Sequence, residues 1–388
     1  MRWLWLPLLF VPLLPVQAAD VPPVRLGLVV PTAGDAGPVA QSMRRAAEMA
    51  ASDWSPRLGR RIELSVKDDA FDPRQDAATA ERLVEEGVWG VVGHFYSSSS
   101  LSASMVYHEA GVPQVTATAT HPRLTAQGFE NVFRVCGRDD AQGVVAAEFV
   151  LSQVKARRIA VVHDRTEYGR GLVETFRREL IRRGAGRVAA EESLAQGDRD
   201  FSAQVMRVKE AKPDALYFGG VFREAGHLIR QLRQAGVGAA FVGGDAVLDP
   251  EFVRLAGEEA GAGAYLTFAP DPRLMESAQP LVRRYEARYG ALGAYALNTY
   301  DAVGVLLRAI QEAKPADGSR DELGKIVRAM RAKPFAGALG TLRWDKNGDR
   351  TPAPYAIYVT KRGGRVQGWF EQLPGGIPRG ATTTGSPR

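Results

Sequence analysis

One cysteine, Cys136, stands among 388 residues. A single thiol forms no internal disulfide and offers no second ligand for a thiolate metal site, so Cys136 is expected to be a small buried hydrophobe. Only five histidines occur, and none lies at a metal-ligand spacing. Glycines follow several strands, but no G-x-G-x-x-G opens a helix, which removes a dinucleotide site. The serine run in "GHFYSSSS" is not a nucleophile elbow of the G-x-S-x-G type. His163 and Asp164 are adjacent, so their side chains leave a strand on opposite faces and make no relay. The chain is therefore read as a non-enzyme without cofactor or metal. The net charge is +6, but the basic residues are dispersed among glutamates, as in "RRELIRRG" and "RRYEARYG". Without a clustered basic stripe and interleaved aromatics, nucleic acid is not an expected partner.

Long hydrophobic runs are missing too, except at the start. "MRWLWLPLLFVPLLPVQAAD" has an Arg, an apolar stretch and then small residues. This is the pattern of a secretory signal peptide, residues 1–18, with Val16-Gln17-Ala18 favouring cleavage after Ala18. The apolar stretch from Trp3 to Val16 carries three prolines and is short for a membrane span. Cys136 is far from the cleavage point, so no lipid anchor is expected. The mature chain is expected in a periplasm.

What the sequence does contain is alternation of strand and helix. "VRLGLVV" (24–30), "RIELSVKDD" (61–69), "VWGVV" (88–92) and "VPQVTAT" (112–118) read as strands with helices between them. The helix after residue 72 is well marked: Asp72 as N-cap, Pro73 at its first position, Gln75 as capping-box partner and Gly87 as stop. The pattern restarts with "RRIAVVHD", "GRVAAEESL", "ALYFGG" and "AAFVGG". The fold class is α/β: two doubly wound parallel-sheet units, 22–138 and 139–269, each covered on both faces by helices. After residue 270 helices dominate, and the strand candidates "APYAIYVT" and "RVQGWFEQL" close the chain. The expected lobes are 22–138 with 270–345, and 139–269 with 346–372. Residues 373–388 lack apolar content and read as a disordered tail.

Ligands of open α/β sheets bind at the carboxyl ends of strands. In the first unit those ends supply Ser97, Ser98, Thr118 and Thr120; in the second, Tyr168 and Asp245. Ser97 falls at the start of a helix, where unpaired N–H groups and the positive end of the dipole accept an anion. Asp245 would hold an ammonium. Together they match the head of an α-amino acid. Each residue also has a purely structural reading: serines cap helices, threonines form turns, Tyr168 packs a loop, and Asp245 caps the helix near Asp249.

The segments "VKDDAFDPRQDAATAERLV", "VVGHFYSSSSLSAS", "GVPQVTATATHPRLTAQGFENVFRVCGRDDAQG", "RRIAVVHDRTEYGRGL", "YFGGVFREAGHLIRQLRQAG" and "LRWDKNGD" resemble the Leu/Ile/Val-type substrate-binding proteins of branched-chain amino acid ABC transporters. The resemblance covers roughly 24–360 and implies two α/β lobes of the type I periplasmic-binding fold, joined by three crossings. It implies a monomer that closes on an amino acid or related small carboxylate and hands it to an ABC membrane permease. Ser97 and Thr120 then hold the ligand carboxylate. The carbonyl of Thr118 takes the ammonium, Ala119 lines the same turn, Tyr168 closes over the ligand, and Asp245 pairs with the ammonium. Two positions depart from the family. Phe71 and Tyr96 stand where some members bridge two cysteines, an aromatic pair in place of the bond. Val221 stands where relatives often place an aromatic. Both changes bear on side-chain specificity. The alternative is a ligand-sensing receptor or regulatory binding protein for an aromatic acid or amide, using the same cleft.

Overall fold

The computed structural model describes residues 22–32, 37–69, 72–363 and 370–374. The expected signal peptide, Phe71 and nearly all of the expected tail lie outside the described residues. The first apolar run is β1 (Val24–Val30), followed by α1 (Gly37–Leu58), β2 (Ile62–Asp68), α2 (Pro73–Glu85), β3 (Val91–Val92), α3 (Ser97–Ala110), β4 (Gln114–Thr116), α4 (Arg123–Ala126) and β5 (Val132–Arg134). The five strands form a parallel sheet in the order β2-β1-β3-β4-β5. Strand β1 is buried along nearly its whole length, which is why it reads as an unbroken apolar run.

The signposts of α2 act as expected, with one difference. Asp72 accepts a 2.9 Å bond from the Arg74 N–H, and Gly87 turns the chain at φ +69°. Gln75 does not reach back to a backbone N–H; its Nε2 donates to the Asp72 carboxylate at 3.2 Å. The charged N-cap takes the Gln75 amide as a donor, whereas a capping box would use its carbonyl oxygen as an acceptor.

The second unit runs α5 (Asp139–Ser152), β6 (Arg158–His163), α6 (Glu167–Arg183), β7 (Arg187–Ser193), α7 (Ser202–Ala211), β8 (Ala215–Gly219), α8 (Phe222–Gln234), β9 (Ala240–Gly243), α9 (Pro250–Ala256), α10 (Glu258–Gly261) and β10 (Tyr265–Phe268). Then come α11 (Gln279–Tyr289), α12 (Ala296–Ala313), α13 (Arg320–Ala332), the hairpin of β11 (Phe335–Gly337) and β12 (Gly340–Leu342), β13 (Ala356–Thr360) and β14 (Phe370–Gln372). The second sheet has the order β14-β13-β10-β9-β8-β6-β7, parallel except for β13, which runs antiparallel to both β10 and β14. Helix α12 returns to pack on α1 of the first lobe. Asp53 of α1 ties it there, accepting from Arg284 at 2.6 Å and Tyr300 at 2.7 Å. The chain thus crosses between two doubly wound lobes three times: after β5, after β10, and between β12 and β13.

The sequence reading names neither β5 nor β10 nor the β11–β12 hairpin. At three or four residues these strands display little period, as do β4 and β9, which the sequence reading does name. β5 also ends in Arg134, whose side chain is fully buried. Its guanidinium spans two crossings. Nε donates to Asp349 at 2.8 Å, and Nη2 to the carbonyl of His121 at 3.0 Å, while Nη1 bonds the carbonyl of Ala119. Arg138 donates to the other Asp349 oxygen at 2.5 Å. Burial pushes the Asp349 carboxyl up, but Arg134 and Arg138 outweigh it and hold it below its ordinary range. This clamp joins the first crossing, the third crossing and the loop after β4.

Candidate ligand-binding cleft

A cavity of about 460 Å³ lies between the lobes, at the carboxyl ends of the strands. Eight of the nine candidate residues named from the sequence line it: Tyr96, Ser97, Ser98, Thr118, Thr120, Tyr168, Val221 and Asp245. The ninth, Ala119, does not. Its carbonyl accepts from the Arg134 guanidinium, and it packs with Leu124 and Val132 behind the wall.

The first-lobe wall starts at α3. Tyr96 is its N-cap residue, in extended conformation, and Ser97 is the first helical residue. Of the four serines, Ser97 and Ser98 face the cavity. Ser99 and Ser100 turn into the protein, and the Ser100 hydroxyl donates to the His94 carbonyl at 2.9 Å. Ser97 Oγ accepts from the His121 N–H at 3.4 Å. The Thr118 hydroxyl is already used, donating to the carbonyl of Phe95 at 2.7 Å. The threonine thereby fixes the loop that leads into α3.

The second-lobe wall depends on three glycines. A Cβ on Gly169 would strike the carbonyl of Gly219, so only this pair lets α6 begin against the end of β8. A Cβ on Gly244 would overlap the Tyr168 hydroxyl. With neither present, Tyr168 reaches Asp245 and donates to Oδ1 at 2.8 Å. Tyr295, just before α12 of the first lobe, donates to Oδ2 at 2.7 Å. Asp245 is buried, and that burial raises its carboxyl pKa despite bonds from Gln142, Tyr295 and Tyr168. Asp249 has the capping role considered for Asp245: its side chain accepts from the Glu251 N–H at 2.8 Å at the start of α9.

Tyr295, Phe95, Thr166 and Gln196 also line the cavity and were not named from the sequence. Thr166 and Gln196 sit at the ends of β6 and β7 and were open to the strand-end rule. Tyr295 follows no strand, so the rule did not reach it. Cys136 is buried, and burial raises its thiol to about 12, in keeping with a core position.

Among the described residues, one group could present metal ligands: Asp69, Asp76 and His94, with ligand atoms within 4.8 Å of one another. The fold brings them together from three elements, which sequence spacing did not reveal. Asp69 acts on the site directly, accepting from the Phe95 N–H at 2.5 Å and the Tyr96 N–H at 3.2 Å. Burial and the neighbouring Asp76 carboxylate raise Asp69 to about 7. His94 Nε2 bonds the Tyr107 hydroxyl at 3.0 Å.

The profile of the periplasmic binding protein family matches residues 23–365. An "Amino acid binding protein" of Pseudomonas aeruginosa is 35% identical over 356 residues, 90% of this chain and 92% of that protein. "Leu/Ile/Val-binding protein homolog 1" of Brucella abortus is 35% identical over 344 residues, 88% of this chain and 91% of that protein. Among solved structures, a leucine-binding protein LivK from Thermotoga maritima superposes with a TM-score of 0.82 at 29% identity, covering 90% of this chain and 98% of that one. These relatives are substrate-binding proteins of an extracytoplasmic family, and no helix among the described residues is long and apolar enough to cross a membrane. The chain belongs to the periplasmic binding protein family, as a binding protein of the branched-chain amino acid ABC transporter type.

Proposed function

We propose that the cleft closes on an α-amino acid and that the protein delivers it to an ABC permease. The observation that carries this reading is the pairing of the two walls. Ser97 and Thr120 hydroxyls and the first turn of α3 line one side, and the Asp245 carboxylate lines the other. A carboxylate finds donors at the helix N-terminus, and an ammonium finds the buried acid. Calorimetry with L-amino acids and their des-amino analogues tests it. Asp245→Asn should weaken amino acids far more than the analogues; equal losses would remove Asp245 from the ammonium role. Residues 1–18 are taken as an export signal, so the mature chain isolated from a periplasm should begin at Ala19 by mass spectrometry.

A second reading is a sensing receptor for an aromatic acid or amide. The rings of Phe95, Tyr96 and Tyr295, which meet edge to face at centroid distances of 4.9 and 6.2 Å, support it. On that reading the Asp245→Asn losses would be the same for ligands with and without an amine.

A further inference from the structure

Beneath the turn that leads into α3, three acceptor groups converge inside the first lobe. Asp69 directly follows β2, Asp76 lies in the first turn of α2, and His94 comes two residues after β3. Asp76 and His94 are 0% exposed and Asp69 is 3% exposed. Their ligand atoms lie within 4.8 Å of one another, and His94 Nδ1 stands 3.9 Å from Asp76 Oδ1.

Two of the three have one side engaged and the other bare. Asp69 Oδ2 accepts from the N–H groups of Phe95 and Tyr96, while Oδ1 has no hydrogen-bond partner among the described residues. His94 Nε2 bonds the Tyr107 hydroxyl at 3.0 Å, while the buried Nδ1 has no partner among them. With its proton on Nε2 and given to Tyr107, the imidazole keeps a lone pair on Nδ1. Acceptors that face one another away from water are costly, and a cation between them removes the cost. A divalent ion also balances the two carboxylates. Tyr107 orients the ring from outside, as the outer partners of metal-bound histidines do. An imidazole with two carboxylates suits zinc better than calcium or magnesium, which take more oxygens. A tetrahedral ion with bonds of about 2.0–2.2 Å keeps its ligand atoms roughly 3.3–3.6 Å apart. The Nδ1–Oδ1 pair needs to close only slightly from 3.9 Å to reach that spacing.

We propose that Asp69, Asp76 and His94 hold a zinc ion, taken up as the chain folds. Ligands this deep need no channel, because metal binding and folding are then one event. Through Asp69 the ion braces the Phe95–Tyr96 turn of the cleft wall. The test refolds the full chain from urea with zinc sulfate or with EDTA, dialyses it, and measures metal by mass spectrometry and stability by urea titration. The zinc-refolded chain should retain about one ion per chain and unfold at a higher urea midpoint than the EDTA-refolded chain. Asp76→Asn keeps the shape and removes an anionic ligand; retention should fall at least about tenfold and the two midpoints should converge. His94→Gln should do the same, and serves if Asp76→Asn fails to refold. No zinc retained by the unaltered chain would overturn the proposal and leave a proton shared by Asp69 and Asp76 in its place. Undiminished retention in either variant, or equal midpoints with zinc and with EDTA in the unaltered chain, would overturn it as well.

Discussion

The Tyr295 hydroxyl donates to Asp245 Oδ2 across the cleft, at 2.7 Å, so a first-lobe residue bonds the acid that the second lobe presents. Tyr295 does so from a left-handed backbone conformation, φ +59°, which a bulky residue adopts only against a steric cost. Tyr295→Phe removes the donor and leaves a buried carboxylate oxygen unsatisfied. Ligand-free stability in urea should fall by about 1–3 kcal/mol, and small-angle scattering should report a more open particle. An unchanged midpoint and radius would show that this bond does not hold the lobes together.

Ser97→Ala deletes the hydroxyl at the head of α3. If it meets a ligand carboxylate, affinity for an α-amino acid should drop by about 1.5–3 kcal/mol, the worth of a hydrogen bond to a charged group. Calorimetry with unchanged affinity would remove Ser97 from the contact set.

Gly244→Ala puts a methyl where the Tyr168 hydroxyl lies. Tyr168 must withdraw, and Asp245 loses one of its two hydroxyl donors. Ligand affinity should fall more than about tenfold. Gly244→Ala combined with Tyr168→Phe should fold more stably than Gly244→Ala alone, because the shortest contact is with the hydroxyl oxygen, while Leu172 Cδ2 at 2.5 Å keeps part of the strain in both. Identical thermal midpoints would place the strain elsewhere.

His121 is buried beside Ser97, and burial lowers its imidazole to about 4 from an ordinary 6.5. The unfolded chain therefore binds the proton first as pH falls, and His121 costs stability progressively from pH 6.5 down to about 4. Asp69, raised to about 7, and Asp301, raised by burial to about 6, act in the opposite sense. The informative quantity is thus the difference between proteins. His121→Gln should lose less stability between pH 7 and pH 4.5 than the unaltered chain in parallel urea titrations. Parallel slopes would mean that His121 takes up its proton at the same pH in the folded and unfolded chain.

Asp349→Asn breaks a buried ion pair and leaves Arg134 uncompensated. The expected cost is about 3–5 kcal/mol, read as a lower urea midpoint. Arg134→Met with Asp349→Leu should recover much of it. A double variant as unstable as the single one would show that the clamp's geometry, and not its charge balance, is what the fold needs.

The strand-end rule reached Ser97, Thr120, Tyr168 and Asp245 because each follows a run that reads as a strand in the chain, even though β3, β4 and β9 are only two to four residues long. Tyr295 and Arg134 were out of its reach. Tyr295 precedes a helix with no strand before it, and its partner lies 50 residues away in sequence. Arg134 is polar in a three-residue strand, and nothing local marks it as buried. His94 stood in the quoted segment "VVGHFYSSSSLSAS", where no spacing marks it as a ligand; its meeting with Asp69 and Asp76 is a property of the fold. Ala119 shows the converse, a residue of the right turn whose carbonyl is turned to the guanidinium behind it.

The Arg134–Asp349 clamp also bears on the order of events in capture. It fastens the 119–121 loop to two of the three crossings, so if the cleft closes as proposed, Thr120 and its neighbours stay in register while the opposite wall moves. On the proposed reading, a ligand's carboxylate docks on a half-site that is already assembled. Arrival would then be set by diffusion to that platform, and residence by how long Tyr168 and Asp245 remain folded over it. Changes on the swinging wall should alter escape rates, and changes on the platform should alter capture.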